Sequence, residues 1–225
     1  MSHRSMTDKW IKEISKSPKE AEEEYDRICG CYDRDIEAKG YRAPEDAAII
    51  LTRFVSPNGV PTLDVGCGTG LVGLKMREQG FTNITGMDIS ANSLKEAVKK
   101  GVYVRVVKHN ILDSFPFEDA SFGAVVCVGV CSRFDDVKIL GLIAEFARVV
   151  GDPGIMLISH RDDLMKSSRI IPEIKSNGIP GVGFETVTKP YPYIPGDAHY
   201  KNLDVRYIVL RKISPEAVSG KYANH

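Results

Sequence analysis

The segment Leu63–Gly70 constrains the fold of this chain more than any other part of its sequence. It consists of a short apolar stretch that contains Asp64, followed by the pattern Gly-x-Gly-x-Gly, which begins at Gly66. Glycines at these positions allow a tight turn and let a ligand approach the N-terminus of the following helix. A second apolar segment ends at Asp88, 22 residues after Gly66, close to the spacing at which a carboxylate reaches a nucleoside ribose. The sequence therefore predicts a strand–turn–helix–strand unit that binds a nucleoside cofactor.

The spacing of the glycines favours S-adenosylmethionine over a dinucleotide. Dinucleotide-binding turns follow the pattern G-x-G-x-x-G, in which the third glycine permits close helix–strand packing. Leu71 occupies that third position here. Asp64 also places a carboxylate near the strand end, where it can receive a cationic amine but disfavours a pyrophosphate. Because S-adenosylmethionine carries an ammonium, a sulfonium and a ribose diol, we expect it to be the cofactor.

Further motifs lie on both sides of the glycine turn. Residues 115–122 read FPFEDASF and residues 148–154 read RVVGDPG, each just before a predicted strand. Upstream stand Tyr25-Asp26, Tyr32-Asp33 and Tyr41-Arg42-Ala43-Pro44. Together with the glycine turn and Asp88, these motifs resemble the class I S-adenosylmethionine-dependent methyltransferases of the Methyltransferase-11 type, and most closely the Williams–Beuren-region methyltransferase-like proteins. The resemblance extends roughly over residues 25–213.

The pattern of the chain and the resemblance predict the same α/β architecture. Apolar segments alternate with amphipathic helices, which indicates right-handed crossovers and a parallel sheet. The resemblance implies a Rossmann-like, seven-stranded methyltransferase sheet, mostly parallel with a C-terminal antiparallel hairpin, helices on both faces and N-terminal lid helices. Strands are predicted over 61–65, 83–88, 102–107, 122–128, 154–159, 184–188 and 205–210. Helices are predicted over 17–39, 44–55, 70–79, 91–100, 135–149 and 162–175.

We expect residues 1–225 to form a single methyltransferase domain. Within it, residues 17–56 form the helical lid, residues 60–160 the cofactor-binding core, and residues 161–213 a helix and hairpin on the acceptor side. No internal repeat or low-complexity tract interrupts this organisation.

Ligands of open α/β sheets bind beyond the carboxyl ends of the strands, which brings several segments of this chain to one crevice. The resemblance assigns the backbone of the glycine turn to the methionine part, Asp88 to both ribose hydroxyls and Ile89 to the adenine face. Arg42 would pair with the cofactor carboxylate. The expected cofactor-binding residues are Tyr32, Arg42, Asp64, Gly66, Cys67, Gly68, Asp88, Ile89, Asn110, Ile111 and Val128.

Each of these residues also has a purely structural interpretation. Asp88 can serve as the acid at a helix N-terminus, Asn110 can belong to an ordinary loop, and Val128 can be a core residue. Asn110 stands where the family usually has an acid, although an amide oxygen can still accept a hydrogen bond from adenine. Arg42 can be a solvated surface group.

The sequence does not identify a catalytic residue. Methyl transfer is an in-line displacement in which proximity and alignment supply much of the acceleration. An oxygen or nitrogen acceptor can also require a base. His160, at the end of the fifth predicted strand, and His199, in the loop 190–203, are the candidate bases. A structural role is the more common one for such histidines.

The composition limits the partners and the location of the protein. Thirty basic and thirty acidic residues cancel, and no Asn/Asp-Pro-Pro-Tyr-like motif follows the fourth predicted strand, so a nucleic-acid acceptor is not expected. We expect a small-molecule or protein acceptor and leave the oligomeric state open. The longest apolar runs, such as 124–130, are far below the ~20 residues that cross a bilayer, and no leader-like segment is recognisable. Five cysteines without metal-ligand spacing indicate reduced thiols, a cytoplasmic location and no metal site.

Two other functions remain open from the sequence alone. A non-catalytic S-adenosylmethionine-binding or interaction domain would explain a complete cofactor crevice without an evident acid–base residue. An NAD-dependent oxidoreductase is less favoured, because of Leu71, the two helices that precede the first strand, and the absence of a Tyr-x-x-x-Lys pair.

Overall fold

A mixed β-sheet lies at the centre of the structure, a computed structural model that describes residues 17–197 and 202–213. In these residues the strands are β1 (Thr62–Val65), β2 (Ile84–Asp88), β3 (Arg105–Lys108), β4 (Phe122–Cys127), β5 (Val150–Arg161), β6 (Val182–Val187), β7 (Tyr191–Pro192) and β8 (Asp204–Lys212). Their order is β3-β2-β1-β4-β5-β8-β6, and the two-residue β7 pairs with β8 outside this path. Strands β1 to β5 pair in parallel, whereas β8 is antiparallel to both β5 and β6. The predicted seven-strand arrangement with its antiparallel hairpin is confirmed, and β7 is an addition that the sequence did not indicate.

Helices cover the sheet and connect its parallel strands. They are α1 (Pro18–Glu37), α2 (Ala43–Leu51), α3 (Leu71–Glu78), α4 (Ala91–Lys99), α5 (Asp136–Val149), α6 (Asp162–Met165) and α7 (Ile170–Lys175), with a 3₁₀ turn at Cys131–Arg133. The hydroxyl of Ser17 accepts from the backbone N–H of Glu20 at 3.2 Å, and that of Ser90 accepts from Ser93 at 3.0 Å. Both serines thus cap the helices that the sequence predicts after them.

The hydrophobic core occupies both faces of the sheet, because side chains along each strand alternate. On β4, Val125 and Cys127 belong to the cluster that includes α5, while Ala124 and Val126 face the cluster that includes α2 and α3. The predicted apolar stripe of α5 is buried against the first face: Ile139, Leu142, Ile143, Phe146 and Val149. Burial of such side chains contributes about 1.5–3 kcal/mol each. The cores fix the carboxyl ends of β1, β2 and β4 next to one another.

The prediction of a continuous helix over residues 162–175 is wrong. The structure has two short helices, α6 and α7, separated by residues 166–169. A proline ring clashes with the carbonyl four residues earlier in a helix, so Pro172 opposes a helical turn through Ser168. Asp136 stabilises the break, since its carboxylate accepts from the hydroxyl of Ser168 at 3.0 Å and from the backbone N–H of Arg169 at 2.6 Å.

Candidate cofactor site

A cavity of about 200 Å³ lies at the carboxyl ends of the central strands and is covered by α1. Its walls combine the glycine turn after β1 with the ends of β2 and β4, the loop at residues 110–112 and side chains of α1. The sequence-predicted residues that line this cavity are Tyr32, Gly66, Cys67, Gly68, Asp88, Ile89, Asn110, Ile111 and Val128. Arg42 and Asp64 do not line it.

The glycine turn requires its first glycine for steric reasons and leaves open space at its second. Gly66 has a φ of 69°, and a Cβ there would lie 2.4 Å from the Cγ2 atom of Val130. Gly68 has a φ of 52°, but a Cβ there would meet no atom within 4 Å. The backbone N–H groups of Gly66 and Cys67 donate to the carbonyl of Met87 at 2.8 and 3.0 Å, which ties the turn to β2. The turn is therefore rigid on its strand side and open on its cavity side.

Asp88 holds the two halves of the site together. Its Oδ2 accepts from the backbone N–H of Gly68 and its Oδ1 from that of Ser90, both at 2.8 Å. Burial raises the pKa of Asp88, although these backbone hydrogen bonds oppose the rise. Each carboxylate oxygen retains a second lone pair, because an ionised carboxylate offers about four acceptor positions. Asp88 can thus accept hydrogen bonds from the hydroxyls of a bound nucleoside.

Acidic residues on one face of α1 attach this helix to the rim of the cavity. The carboxylate of Asp26 accepts from the hydroxyl of Ser90 at 2.6 Å and from the backbone N–H of Asn92 at 3.0 Å. Asp33 accepts from the hydroxyl of Thr69 and from the ammonium of Lys100, both at 2.5 Å. A further ion pair, between Glu22 and Lys108, has an N···O distance of 2.6 Å. Helix α1 is therefore bound to the segments that follow β1 and β2 and to the last residue of β3.

Tyrosines and one arginine form the remaining polar part of the cavity. Tyr25, Tyr32 and Tyr41 line it, and burial raises the pKa of Tyr25 to about 12. Burial also raises the pKa values of Tyr32 and Tyr41, so these phenols are neutral hydrogen-bonding groups at physiological pH. The guanidinium of Arg133 lies 5.2 Å from the centroid of the Tyr25 ring. Sequence reasoning missed Arg133, although its position six residues beyond β4 is a signal that could have suggested it.

Asp64 points away from the cavity, against the expectation that it receives the cofactor amine. Its side chain is 1% exposed, and its Oδ2 accepts from the hydroxyl of Tyr103 at 2.7 Å. Burial raises the pKa of Asp64 to about 7, although the hydrogen bond from Tyr103 opposes this shift. The ring of Tyr103 fits only because glycines face it: a Cβ on Gly70, Gly73 or Gly86 would approach it to 3.0 Å or less. The third glycine of the turn thus makes room for a tyrosine rather than for a ligand.

Arg42 lies at the protein surface, against the expectation that it pairs with the cofactor carboxylate. It precedes α2, and its Nη2 atom is 3.2 Å from a carboxylate oxygen of Glu45 and 3.8 Å from one of Asp46. Acids three and four residues further along a helix are the nearest partners of such a side chain. These local contacts direct Arg42 away from the cavity.

The candidate base His160 is buried in β5, with 2% of its surface exposed, and does not line the cavity. Its Nδ1 donates to the carbonyl oxygen of Arg161 at 3.1 Å. Burial lowers its pKa, which keeps the imidazole neutral. His199 lies outside the described residues.

Residues 17–197 and 202–213 hold neither a cluster of metal-binding side chains nor a membrane-spanning helix. They contain no group of three or more His, Cys, Asp or Glu side chains that could hold a metal ion. None of the helices in that part of the chain is both long and apolar enough to cross a membrane.

A sheet of five parallel strands followed by an antiparallel hairpin, with a glycine turn after β1 and an acid at the end of β2, defines the class I methyltransferase fold. Residues 62–154 match a family model described as a methyltransferase domain. Human methyltransferase-like protein 27 is 37% identical over 111 residues, which are 48% of this chain and 45% of that protein. The chloroplastic magnesium protoporphyrin IX methyltransferase of Arabidopsis thaliana is 30% identical over 51% of this chain and 37% of that protein.

Solved structures agree on the fold. A magnesium protoporphyrin IX methyltransferase from Synechocystis PCC 6803 with bound S-adenosylhomocysteine superposes with a TM-score of 0.60 at 14% identity, over 80% of this chain and 85% of that one. The motifs, the family model over residues 62–154 and the fold thus agree on a class I S-adenosylmethionine-dependent methyltransferase domain, and the Synechocystis structures contain bound S-adenosylhomocysteine or S-adenosylmethionine. This chain aligns with less than half the length of each curated relative named above.

The cavity fits S-adenosylmethionine. The space beside Gly68 is free of protein atoms within 4 Å of a would-be Cβ, and Asp88 faces it with unused acceptor positions. Ile89, Ile111 and Val128 supply apolar walls for an adenine ring and a thioether-like chain.

Proposed function

We propose that this chain transfers the methyl group of S-adenosylmethionine to a small-molecule or protein acceptor. The observation that carries the proposal is the position of Asp88, which lines the cavity and is hydrogen-bonded to the glycine turn at Gly68. A ribose-binding acid and an open glycine turn then face the same space, under the cover of α1.

The proposed roles follow the cavity walls. Gly66, Cys67 and Gly68 offer backbone to the methionine part, and Asp88 accepts hydrogen bonds from the ribose. Ile89 and Ile111 pack against the adenine, while the amide oxygen of Asn110 can accept from its amine. Val128 and Tyr32 enclose the sulfonium end. Arg42 and Asp64 are left out of this set because their side chains are engaged elsewhere.

The bound cofactor supplies an electrophilic methyl carbon with a neutral thioether as leaving group. The chain's own contribution is to orient the reactants and exclude water, because aligned, desolvated reactants gain much of the rate without acid–base chemistry. Tyr25, whose pKa is about 12, keeps its proton at neutral pH and acts as a hydrogen-bond donor rather than a base. His160 is too buried in β5 to reach the acceptor. An acceptor that is already nucleophilic at neutral pH suits such a site.

A small molecule is the acceptor class that the enclosed cavity favours. The relative from Arabidopsis thaliana is named for magnesium protoporphyrin IX, which supports this preference. A protein side chain remains the second candidate acceptor. Ser17 and Pro18, at the start of α1, also line the cavity.

The organisation and location of the protein are part of the same proposal. We infer one domain over residues 1–225, with 17–56 as the lid over the core 60–160 and 161–213 on the acceptor side. Five free cysteines, including Cys127 and Cys131 with sulfur atoms 3.7 Å apart, support a reducing, cytoplasmic setting.

Calorimetric titration with S-adenosylmethionine, S-adenosylhomocysteine and NAD tests the cofactor assignment. We expect micromolar binding of the first two and none of NAD. Asp88→Ala should weaken the binding of S-adenosylhomocysteine by about 1.5–3 kcal/mol, since it removes hydrogen bonds to a charged acceptor. Glu78→Gln, which alters an exposed acid on α3, is the matched control and should bind normally. Binding of NAD alone would contradict the proposal.

A turnover assay then separates an enzyme from a binding domain. Pools of small molecules and of peptides are incubated with the protein and S-adenosylmethionine, and the formation of S-adenosylhomocysteine is measured. Product above the level of Asp88→Ala supports methyl transfer. Tight cofactor binding with no turnover in either pool would favour the non-catalytic alternative.

A further inference from the structure

Arg133 carries a charge that no carboxylate of the described residues contacts. It belongs to the 3₁₀ turn after β4 and lines the cavity. Its Nη1 atom is buried and has no hydrogen-bond partner, and no carboxylate of residues 17–197 or 202–213 forms an ion pair with it. Other partly buried arginines in the structure are paired with acids: Arg148 with Glu145 and Asp119, Arg161 with Asp163, and Arg206 with Asp162.

The groups around Arg133 are tyrosines, which cannot supply a counter-charge. Tyr25 lies under the guanidinium at 5.2 Å, and Tyr32 and Tyr193 are further neighbours. Because burial raises the pKa of Tyr25 to about 12, its phenol stays protonated in the physiological range. Glu24 attracts the guanidinium from a distance but does not contact it. The cation–π contact with Tyr25 contributes only about 0.5–2 kcal/mol.

A buried guanidinium without an anion is costly, and its planar fork matches a carboxylate with two parallel hydrogen bonds. An arginine directed into a ligand cavity and left unpaired by the protein therefore indicates that the ligand brings the anion. The surrounding phenols can donate additional hydrogen bonds to the same group.

We propose that Arg133 binds a carboxylate of the ligand that fills this cavity. Two sources carry that chemistry: the amino-acid carboxylate of the cofactor, in place of the sequence-predicted partner Arg42, and a carboxylate of the methyl acceptor. The second source rests on the proposed function, while the first requires only cofactor binding.

The test compares ligands with and without the carboxylate in matched variants. Wild type, Arg133→Met, Arg133→Lys and Arg42→Met are titrated with S-adenosylhomocysteine and with 5′-methylthioadenosine, which lacks the amino-acid part. Benzoate and its neutral analogue benzamide are then titrated into each protein, with and without saturating S-adenosylhomocysteine. Arg77→Met, an exposed arginine of α3, controls for the loss of a positive charge.

If the cofactor is the source, Arg133→Met weakens S-adenosylhomocysteine about tenfold or more, as expected for a hydrogen bond to a charged group, and leaves 5′-methylthioadenosine unchanged. Arg133→Lys retains part of the affinity, and Arg42→Met has no effect. If the acceptor is the source, both nucleosides bind normally to Arg133→Met, while benzoate binds to wild type better than benzamide and loses this preference in the variant.

Three outcomes overturn the proposal. Equal losses for both nucleosides would show a structural role for Arg133. A loss of S-adenosylhomocysteine affinity confined to Arg42→Met, with no benzoate preference that depends on Arg133, would return the carboxylate to Arg42. Unchanged nucleoside binding together with no benzoate preference would leave Arg133 without a carboxylate ligand. Thermal denaturation of the ligand-free variants provides a separate check, because removal of an unpaired buried charge should keep or raise the melting temperature of Arg133→Met. Failure of wild type to bind S-adenosylhomocysteine would contradict the proposed function instead, and the benzoate titration would still decide the role of Arg133.

Discussion

The buried carboxyl of Asp64 predicts a measurable dependence of stability on pH, which Asp64→Asn should remove. The side chain is 1% exposed, its Oδ1 atom has no hydrogen-bond partner among residues 17–197 and 202–213, and its Oδ2 atom accepts from Tyr103. Burial raises its pKa from 3.8 to about 7 in the folded protein. The folded state therefore binds a proton more tightly than the unfolded state between these two values.

The sign of the effect follows from this difference in proton binding. For an acid whose pKa is raised by folding, stability is highest at low pH, falls as the pH rises from about 4, and levels off above about 7. Between pH 5 and pH 8 the loss that Asp64 contributes amounts to roughly 2–3 kcal/mol. An asparagine is uncharged over this range, so its amide does not incur that loss.

The assay is urea denaturation of wild type and Asp64→Asn at pH 5, 6, 7 and 8. The difference in the free energy of unfolding between the two proteins reports the titration of Asp64, because other titrating groups, such as the buried Asp88, are present in both. We expect the free energy of unfolding of the variant, relative to that of wild type, to rise by roughly 2–3 kcal/mol between pH 5 and pH 8. Asp152→Asn, which changes an exposed acid, should show the same pH dependence of the free energy of unfolding as wild type. A pH-independent difference between Asp64→Asn and wild type would refute the reasoning, since it would mean that Asp64 titrates normally in the folded protein.

Two further predictions concern the glycine turn and the attachment of α1. Both glycines have positive φ, but only a Cβ at Gly66 clashes with Val130, so Gly66→Ala should lower the free energy of unfolding by about 1–3 kcal/mol more than Gly68→Ala. Gly68→Ala should mainly weaken the binding of S-adenosylhomocysteine in calorimetry, and equal stabilities of the two variants would contradict this distinction. Asp26→Asn should accelerate hydrogen exchange in residues 18–37, because the carboxylate bound to Ser90 and Asn92 loses its charge. The pKa of Asp26 is lowered, because the hydrogen bonds from Ser90 and Asn92 outweigh the opposing effect of burial. Wild-type protection of α1 should therefore be present at neutral pH and be lost as the pH falls through that lowered pKa; the absence of any such loss would exclude Asp26 as the attachment.

The sequence predicted those features that depend on neighbours close along the chain. Ser17 and Ser90 cap their helices, and the glycine turn adopts positive φ values, because each requires only residues within one turn of backbone. The order of the sheet follows from the alternation of strands and helices and from the late hairpin. The break between α6 and α7 could have been inferred from Pro172, but not its stabilisation by Asp136, which lies more than thirty residues away in sequence.

The directions of individual side chains were harder to predict than the positions of their backbones. Asp64 follows the expected strand, yet it turns towards Tyr103, which is 39 residues further along the chain and fits only beside three glycines. Arg42 directly precedes α2, close to the predicted start of that helix, yet acids of α2 hold its side chain at the surface. Arg133 carries no motif, and only the folded structure shows that it lines the cavity with no carboxylate of residues 17–197 or 202–213 paired with it. A motif thus located the crevice, while long-range contacts decided which side chains face it.

The enclosure of the cavity depends on a separate set of polar contacts from those that build its floor. Glu22, Asp26 and Asp33 stand at positions i, i+4 and i+11 of α1, which share one face of a helix. Glu22 pairs with the last residue of β3, and Asp26 and Asp33 bind residues that follow β2 and β1, so one helix face joins three strand ends around the cavity mouth. The glycine turn and the strand ends beneath it are held by backbone hydrogen bonds, the buried Asp88 and apolar packing, which salt affects little, whereas the partly exposed ion pairs of α1 weaken with salt. High salt, which screens these acids, should therefore loosen the cover and leave the glycine turn and Asp88 in place.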